Sequence, residues 1–222
     1  MPPNKAAELM GEDIMDALTL YIIRHAEKPD DKQPDLGPGL THKGKQDPES
    51  LVIMGWERAG AWTALFGAGF GGSDYARPQA VYAANPNSTE NASADSTKDN
   101  KVSRRPCETV LSLAARLGLG KPNISFGKGQ EQGLVDALLK LSGVILVAWE
   151  HKAIISDILP KLPVKNKADL PTHWSGKRFD VALRFECAAG DQEFVFKELY
   201  PCLMPRDSNK PLKSDPKDPT DN

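Results

Sequence analysis

Thr19-Leu20-Tyr21-Ile22-Ile23-Arg24-His25-Ala26-Glu27-Lys28 is the stretch from which the fold can be read. An apolar, β-branched run stops abruptly at an arginine, a histidine and a carboxylate. A strand buried on both faces reads this way, as a near-continuous apolar segment ending where the chain reaches the surface. In an open α/β sheet the ligand crevice lies beyond the carboxyl ends of the parallel strands. A first strand over residues 18–24 therefore puts Arg24 and His25 at a candidate anion site.

Working outward, residues 28–50 are rich in Pro, Gly, Asp and Lys and read as a long loop, a length that compact domains reserve for functional or mobile segments. Residues 54–66 form the first convincing helix, with Trp62, Leu65 and Phe66 spaced for one buried face. Residues 78–84 read as a short second strand. The almost apolar-free stretch 85–103 reads as an exposed insertion. A helix follows over 106–117, with Val110, Leu113, Ala114 and Leu117 inward and Pro106 in the first turn, where a missing N–H costs nothing. A third strand is expected over 123–126 and a helix over 130–141. Val144 to Trp149 is the strongest strand signal of all. Glu150-His151 follows it directly, then a short helix to Leu159, a polar connection over 161–176, and two alternating segments, 178–186 and 193–199, that read as an antiparallel hairpin.

This alternation of strand and helix predicts a three-layer α/β/α sandwich with a mostly parallel central sheet and a C-terminal antiparallel hairpin. The expected organisation is a polar N-terminal segment at 1–17, one domain at 18–204 and a disordered tail at 205–222.

Composition narrows the function classes. The 222 residues carry a formal net charge of −2, so no global field draws the protein to nucleic acid or to an acidic membrane. Three cysteines are too few and too scattered for a disulfide framework and suit a reducing compartment. Residues 1–18 have no continuous apolar core and are read as neither signal peptide nor membrane span. The expected location is cytoplasmic.

Three basic motifs fall where such a sheet opens its crevice: Arg24-His25 after the first strand, Arg104-Arg105 at a helix start, and Glu150-His151 after the most hydrophobic strand. Each alone is as well explained by a surface arginine or a structural histidine. Together they favour a phosphate site, because a guanidinium at a helix start adds bidentate donors to the backbone N–H groups and the dipole. No GxxxxGK[ST] loop or GxGxxG fingerprint supports a nucleotide template. The four histidines (25, 42, 151, 173) lack metal-ligand spacing, and there is no GxSxG elbow. The four tryptophans are read as core and rim rather than as a base-stacking platform.

With these residues in view, the chain resembles the histidine phosphatase superfamily, the phosphoglycerate-mutase-like fold. The matching residues are Arg24-His25-Ala26-Glu27, Gly55-Trp56-Glu57-Arg58-Ala59 opening the first helix, Arg105 four positions before Thr109, and His151 after the strong strand. The resemblance implies that His25 is the nucleophile, becoming a phosphohistidine that water hydrolyses. It implies that Arg24, Arg105 and His151 line the phosphate pocket and that neither metal nor other cofactor is needed. Ala26-Glu27-Lys28-Pro29 stands where the mutases have Glu-Ser and a downstream Trp-Asn, so an RHAE-type phosphatase is closer than a mutase. Glu131 is the first choice for the proton donor, with Glu150 and Asp157 behind it. The substrate is a phosphorylated small molecule or a phosphoprotein. The alternatives are a non-catalytic phosphate-binding module of the same fold and a protein phosphohistidine phosphatase. Lys28, Trp149, His173, Trp174 and Arg178 are candidate rim residues, each equally readable as structural.

Overall fold

A computed structural model describes residues 16–69, 71–87 and 103–214. Five strands form one sheet: β1 (Leu18–Arg24), β2 (Ala80–Ala83), β3 (Gly143–Trp149), β4 (Ala182–Cys187) and β5 (Val195–Leu199). Their spatial order is β2-β3-β1-β4-β5. The β2, β3 and β1 strands run parallel, with Leu18 opposite Gly143 and Arg24 opposite Trp149. The β4 and β5 strands are antiparallel to their neighbours. The helices are α1 (Ile53–Ala68), α2 (Arg105–Arg116), α3 (Glu131–Leu138) and α4 (His151–Ala153), the last running on into a π-wound stretch, Ile154–Ile158.

The apolar run in β1 is continuous because both of its faces are covered. Leu18, Leu20 and Ile22 join Ile145, Val147 and Trp149 of β3 in a core with Leu134, Val135 and Leu138 of α3 and with Ile154 and Ile158. Tyr21 and Ile23 point the other way, with Leu146 and Ala148, onto Trp62 and Phe66 of α1 and Val110, Leu113 and Ala114 of α2. The period-2 alternation of a strand thus feeds two apolar layers at once. The α1 and α2 helices also pack on each other.

Three expectations change. The strand foreseen at 123–126 is reduced to one parallel bridge between Asn123 and Tyr82, with a further bond from Asn85 N–H to Phe126 O. Ile124 between them is 36% exposed, so no second face is buried that would extend the pairing. The strand foreseen from Arg178 begins only at Ala182, because Arg178 and Asp180 pair with each other at 2.7 Å in a buried loop. The tail foreseen as disordered from Pro205 is packed as far as Ser214. Leu212 is fully buried, Asp207 binds Arg58, and Ser208 N–H donates to Asp180. Residues 215–222, most of the 85–103 insertion and residues 1–15 of the N-terminal segment lie outside the described residues.

Two local devices shape the end of β1. The first turn of α1 lies so close to the loop after His25 that a Cβ on Gly55 would stand 2.4 Å from Glu27 O, so only glycine fits there. On the other side, Ala26 N–H donates to the Thr109 hydroxyl of α2 at 2.8 Å.

Candidate functional site

His25 leaves β1 with its backbone N–H still paired to Trp149 O at 3.0 Å, which holds it beside the carboxyl end of β3. Its ring is buried, and Nδ1 lies 2.7 Å from Ala26 O. A carbonyl only accepts, so Nδ1 carries the proton and the lone pair stays on Nε2. Burial, then the Arg24 and Arg105 guanidiniums, hold the imidazole well below the ordinary histidine value. A neutral imidazole with its lone pair on Nε2 is the form a nucleophile requires.

Arg24, 1% exposed, is held from the other side. Its Nη1 donates to the carbonyls of Ser175 (3.1 Å), Gly176 (2.9 Å) and Arg178 (2.9 Å), and its Cζ lies 3.9 Å from the centre of the Phe179 ring. The guanidinium therefore organises the 175–179 loop as well as charging the end of β1. Sequence reasoning assigned it only the second role.

Arg105 opens α2 at the same end of the sheet. Its Nη2 donates to Pro48 O at 2.6 Å and pairs with Glu49 at 3.3 Å, while its buried Nε has no hydrogen-bond partner among the described residues. Burial depresses its pKa. The sequence pattern contains no sign of the Glu49 partner, which comes from the long loop before α1.

His151 begins the helix after β3, with Nδ1 2.7 Å from Glu150 Oε1. Glu150 caps that helix, accepting from the N–H groups of Lys152 and Ala153 at 3.0 Å each. Burial pushes its carboxyl up, but His151 and the two N–H donors outweigh that and hold it well below the usual range. Glu150 also acts on the charge of His25, as Arg105 does, so the three basic motifs share one electrostatic neighbourhood.

The candidate acids occupy different settings. Glu131 is buried in the first turn of α3, and its Oε1 accepts the Trp149 indole N–H at 3.0 Å. Asp157 is half-buried and accepts from the Ser156 hydroxyl. Glu27 forms a buried cluster: its Oε1 is 2.8 Å from Arg58 Nε, and both Arg58 Nη atoms reach Asp207, at 3.2 and 2.8 Å. Burial outweighs Arg58 and pushes the Glu27 carboxyl up, and its buried Oε2 has no hydrogen-bond partner among the described residues.

Among the candidate rim residues, Trp149 and Trp174 are core side chains, and the Trp174 indole donates to Arg178 O. Arg178 is buried and donates to Ser208 O and Lys210 O. His173 is half-buried. Lys28 is exposed, has no ion-pair partner among the described residues, and its ammonium is pushed down by partial burial and by Arg105 and Arg24. Among the described residues no group of three or more His, Cys, Asp or Glu could hold a metal ion, and no helix is long and apolar enough to cross a membrane.

The fold that carries this site is a mixed α/β architecture with a five-stranded sheet whose core strands are parallel. No protein-family model matches the chain. No curated protein matches it. Among solved structures it is similar to phosphoglycerate mutase from Bacillus anthracis str. Sterne, at 11% identity and a TM-score of 0.42, over 85% of this chain and 94% of that one. At that level the likeness carries no argument about chemistry.

Proposed function

We propose that the protein is a metal-independent phosphomonoesterase of the histidine phosphatase kind, RHAE-type rather than a mutase, on the three-layer α/β/α framework expected from its sequence. The carrying observation is the His25 Nδ1–Ala26 O hydrogen bond in a buried ring flanked by the Arg24 and Arg105 charges. Nε2 attacks phosphorus; the P–N bond forms as the ester P–O bond breaks, and the leaving oxygen takes a proton. Water then attacks the phosphohistidine, the P–N bond breaks, and inorganic phosphate leaves. Arg24, Arg105 and His151 stabilise the charge on the transferring oxygens, the largest electrostatic contribution in such transfers. Glu150 is committed to capping the helix after β3 and pairs with His151, so Glu131, the first choice from the sequence, is kept as the proposed donor.

The test is turnover of an aryl phosphate in excess chelator, with acid-labile phosphoenzyme trapped by rapid quench. Wild type should turn over and label, whereas His25→Ala should do neither. Equal turnover in both proteins removes His25 as nucleophile. A second reading, a phosphate-binding module without turnover, has in its favour that Arg24 Nη1 serves three loop carbonyls and that Arg105 has Glu49 as an acidic partner. Vanadate binding with no hydrolysis would favour it.

A further inference from the structure

Trp149 closes β3 and is bonded in two directions. Its carbonyl accepts the His25 N–H at 3.0 Å. Its indole, 1% exposed, donates to Oε1 of Glu131 in the first turn of α3, again at 3.0 Å. The α3 helix leads back to Gly143 at the start of β3, so its first turn lies at the end of the sheet from which His25 and His151 emerge. One residue thus holds both the backbone of the nucleophile and the carboxyl of the proposed donor.

The Glu131 carboxyl is unlike the other buried acids among the described residues. Glu27 and Asp207 share Arg58, and Asp180 holds Arg178 at 2.7 Å. Glu108 accepts both the Ser50 hydroxyl and the Leu51 N–H. Glu131, 5% exposed, meets no cation among the described residues and receives one neutral donor, the Trp149 indole. A buried indole N–H does not call for a carboxyl, because a backbone carbonyl satisfies it without burying an ionisable group. The Trp174 indole is satisfied in that way, by Arg178 O. The pairing of Trp149 with an acid therefore points to a use for the acid.

Resting on the reading of the site as a phosphatase with Glu131 as its donor, we infer that Trp149 is a positioning residue for proton transfer. Its indole N–H fixes Oε1 and leaves Oε2 to carry the proton. In the first step Oε2–H gives its proton to the ester oxygen as the P–O bond breaks, and Glu131 becomes a carboxylate. In the second the carboxylate takes a proton from the water that attacks the phosphohistidine, which restores the acid. Such transfers need the donor within about 2.6–3.2 Å of its acceptor. A glutamate gives up rotamer freedom to keep that reach, and a bond to a rigid buried indole removes this cost before substrate arrives.

The experiment compares kcat/KM for an alkyl phosphate, whose oxygen must be protonated to leave, with that for a nitrophenyl phosphate, whose phenolate leaves without a proton. This ratio reports only the steps up to departure of the alcohol, so hydrolysis of the phosphoenzyme does not enter it. Trp149→Phe should lose about tenfold or more on the alkyl ester and less than about threefold on the nitrophenyl ester, a part of what general acid catalysis supplies. Glu131→Gln should show the same selectivity. Adding Trp149→Phe to it should cost less than about twofold more, because the two side chains act as one unit. A purely structural role would lower both esters alike. Should Trp149→Phe not fold, benzothienylalanine at position 149 replaces it, since that side chain keeps the fused ring and exchanges only the N–H for sulfur. Equal losses on the two esters, no loss, or losses that multiply in the double variant would overturn the positioning role and leave His25 as nucleophile. A wild type that turns over neither ester removes the phosphatase reading, and the role of Trp149 with it.

Discussion

The Thr109 hydroxyl accepts the Ala26 N–H at 2.8 Å and donates to Arg105 O at 2.7 Å, tying the loop after His25 to the first turn of the helix that carries Arg105. Ala26 and Thr109 are both fully buried, so the Ala26 N–H has no water to turn to. Thr109→Val keeps the shape and deletes the acceptor, and should lower the unfolding free energy by about 1–3 kcal/mol, the cost of a buried unsatisfied donor. Thr109→Ser should restore most of it. Urea denaturation of the three proteins decides; identical midpoints would show that this bond does not hold the loop.

Arg24 also makes a prediction that separates charge from geometry. Lysine keeps the charge but lacks the planar guanidinium that stacks on Phe179 and so places the one Nη1 against the carbonyls of Ser175, Gly176 and Arg178. Arg24→Lys should therefore destabilise by about 1.5–3 kcal/mol, the scale of hydrogen bonds to a charged group. Amide exchange should quicken across residues 174–179. Wild-type protection in that loop would contradict the organising role given to Arg24.

The parts legible in the sequence were those whose signal is local. The β1 and β3 strands are apolar throughout because both faces are buried, and α2 declares itself through Pro106 and the Val110–Leu113–Ala114 stripe. The ends of β1, β3 and the start of α2 then fall at one end of the sheet, which is why His25, Arg105 and Glu150 could be foreseen as neighbours. The illegible parts depend on partners far apart in the chain. Asp207 sits in a Pro-, Lys- and Asp-rich stretch whose composition reads as solvated tail, and nothing local announces a buried pair with Arg58 149 positions away. The seating of Arg24 on the 175–179 loop is equally non-local, and in the 123–126 segment only Phe126 reaches the core while Ile124 stays exposed.

His25 gives a pH prediction in two forms. Because burial, Arg24 and Arg105 hold the ring well below 6.5, the neutral nucleophile should persist through mildly acid solution, and the acid limb of kcat/KM should lie below pH 6.5. Arg105→Gln removes one of the depressing charges and should move that limb upward. The stability linkage has the matching sign. The unfolded chain takes up the histidine proton as pH falls below 6.5 while the buried ring refuses it, so the His25 contribution is complete above 6.5 and lost progressively below. Relative to wild type, His25→Asn should lack that slope. A wild-type limb at or above 6.5 would contradict the account of burial.

The Arg58 guanidinium lies between two buried carboxylates, Glu27 from the loop after His25 and Asp207 from the C-terminal segment. Removing it leaves both acids without a counter-charge, so Arg58→Ala should cost about 3–5 kcal/mol in urea denaturation, the range for a broken buried pair. Arg58→Lys should recover little, because one ammonium cannot replace Nε on Glu27 and two Nη atoms on Asp207. Loss of the anchor should also free the 204–207 turn, read as faster proteolysis there under native conditions. The Glu27 carboxyl is raised above 4.5, so its contribution to stability is complete below that pH and is lost as pH climbs through its folded value. The stability gap between wild type and Glu27→Gln should accordingly narrow as pH rises from 4.5, and a gap that widens would mean that Arg58, not burial, dominates the carboxyl.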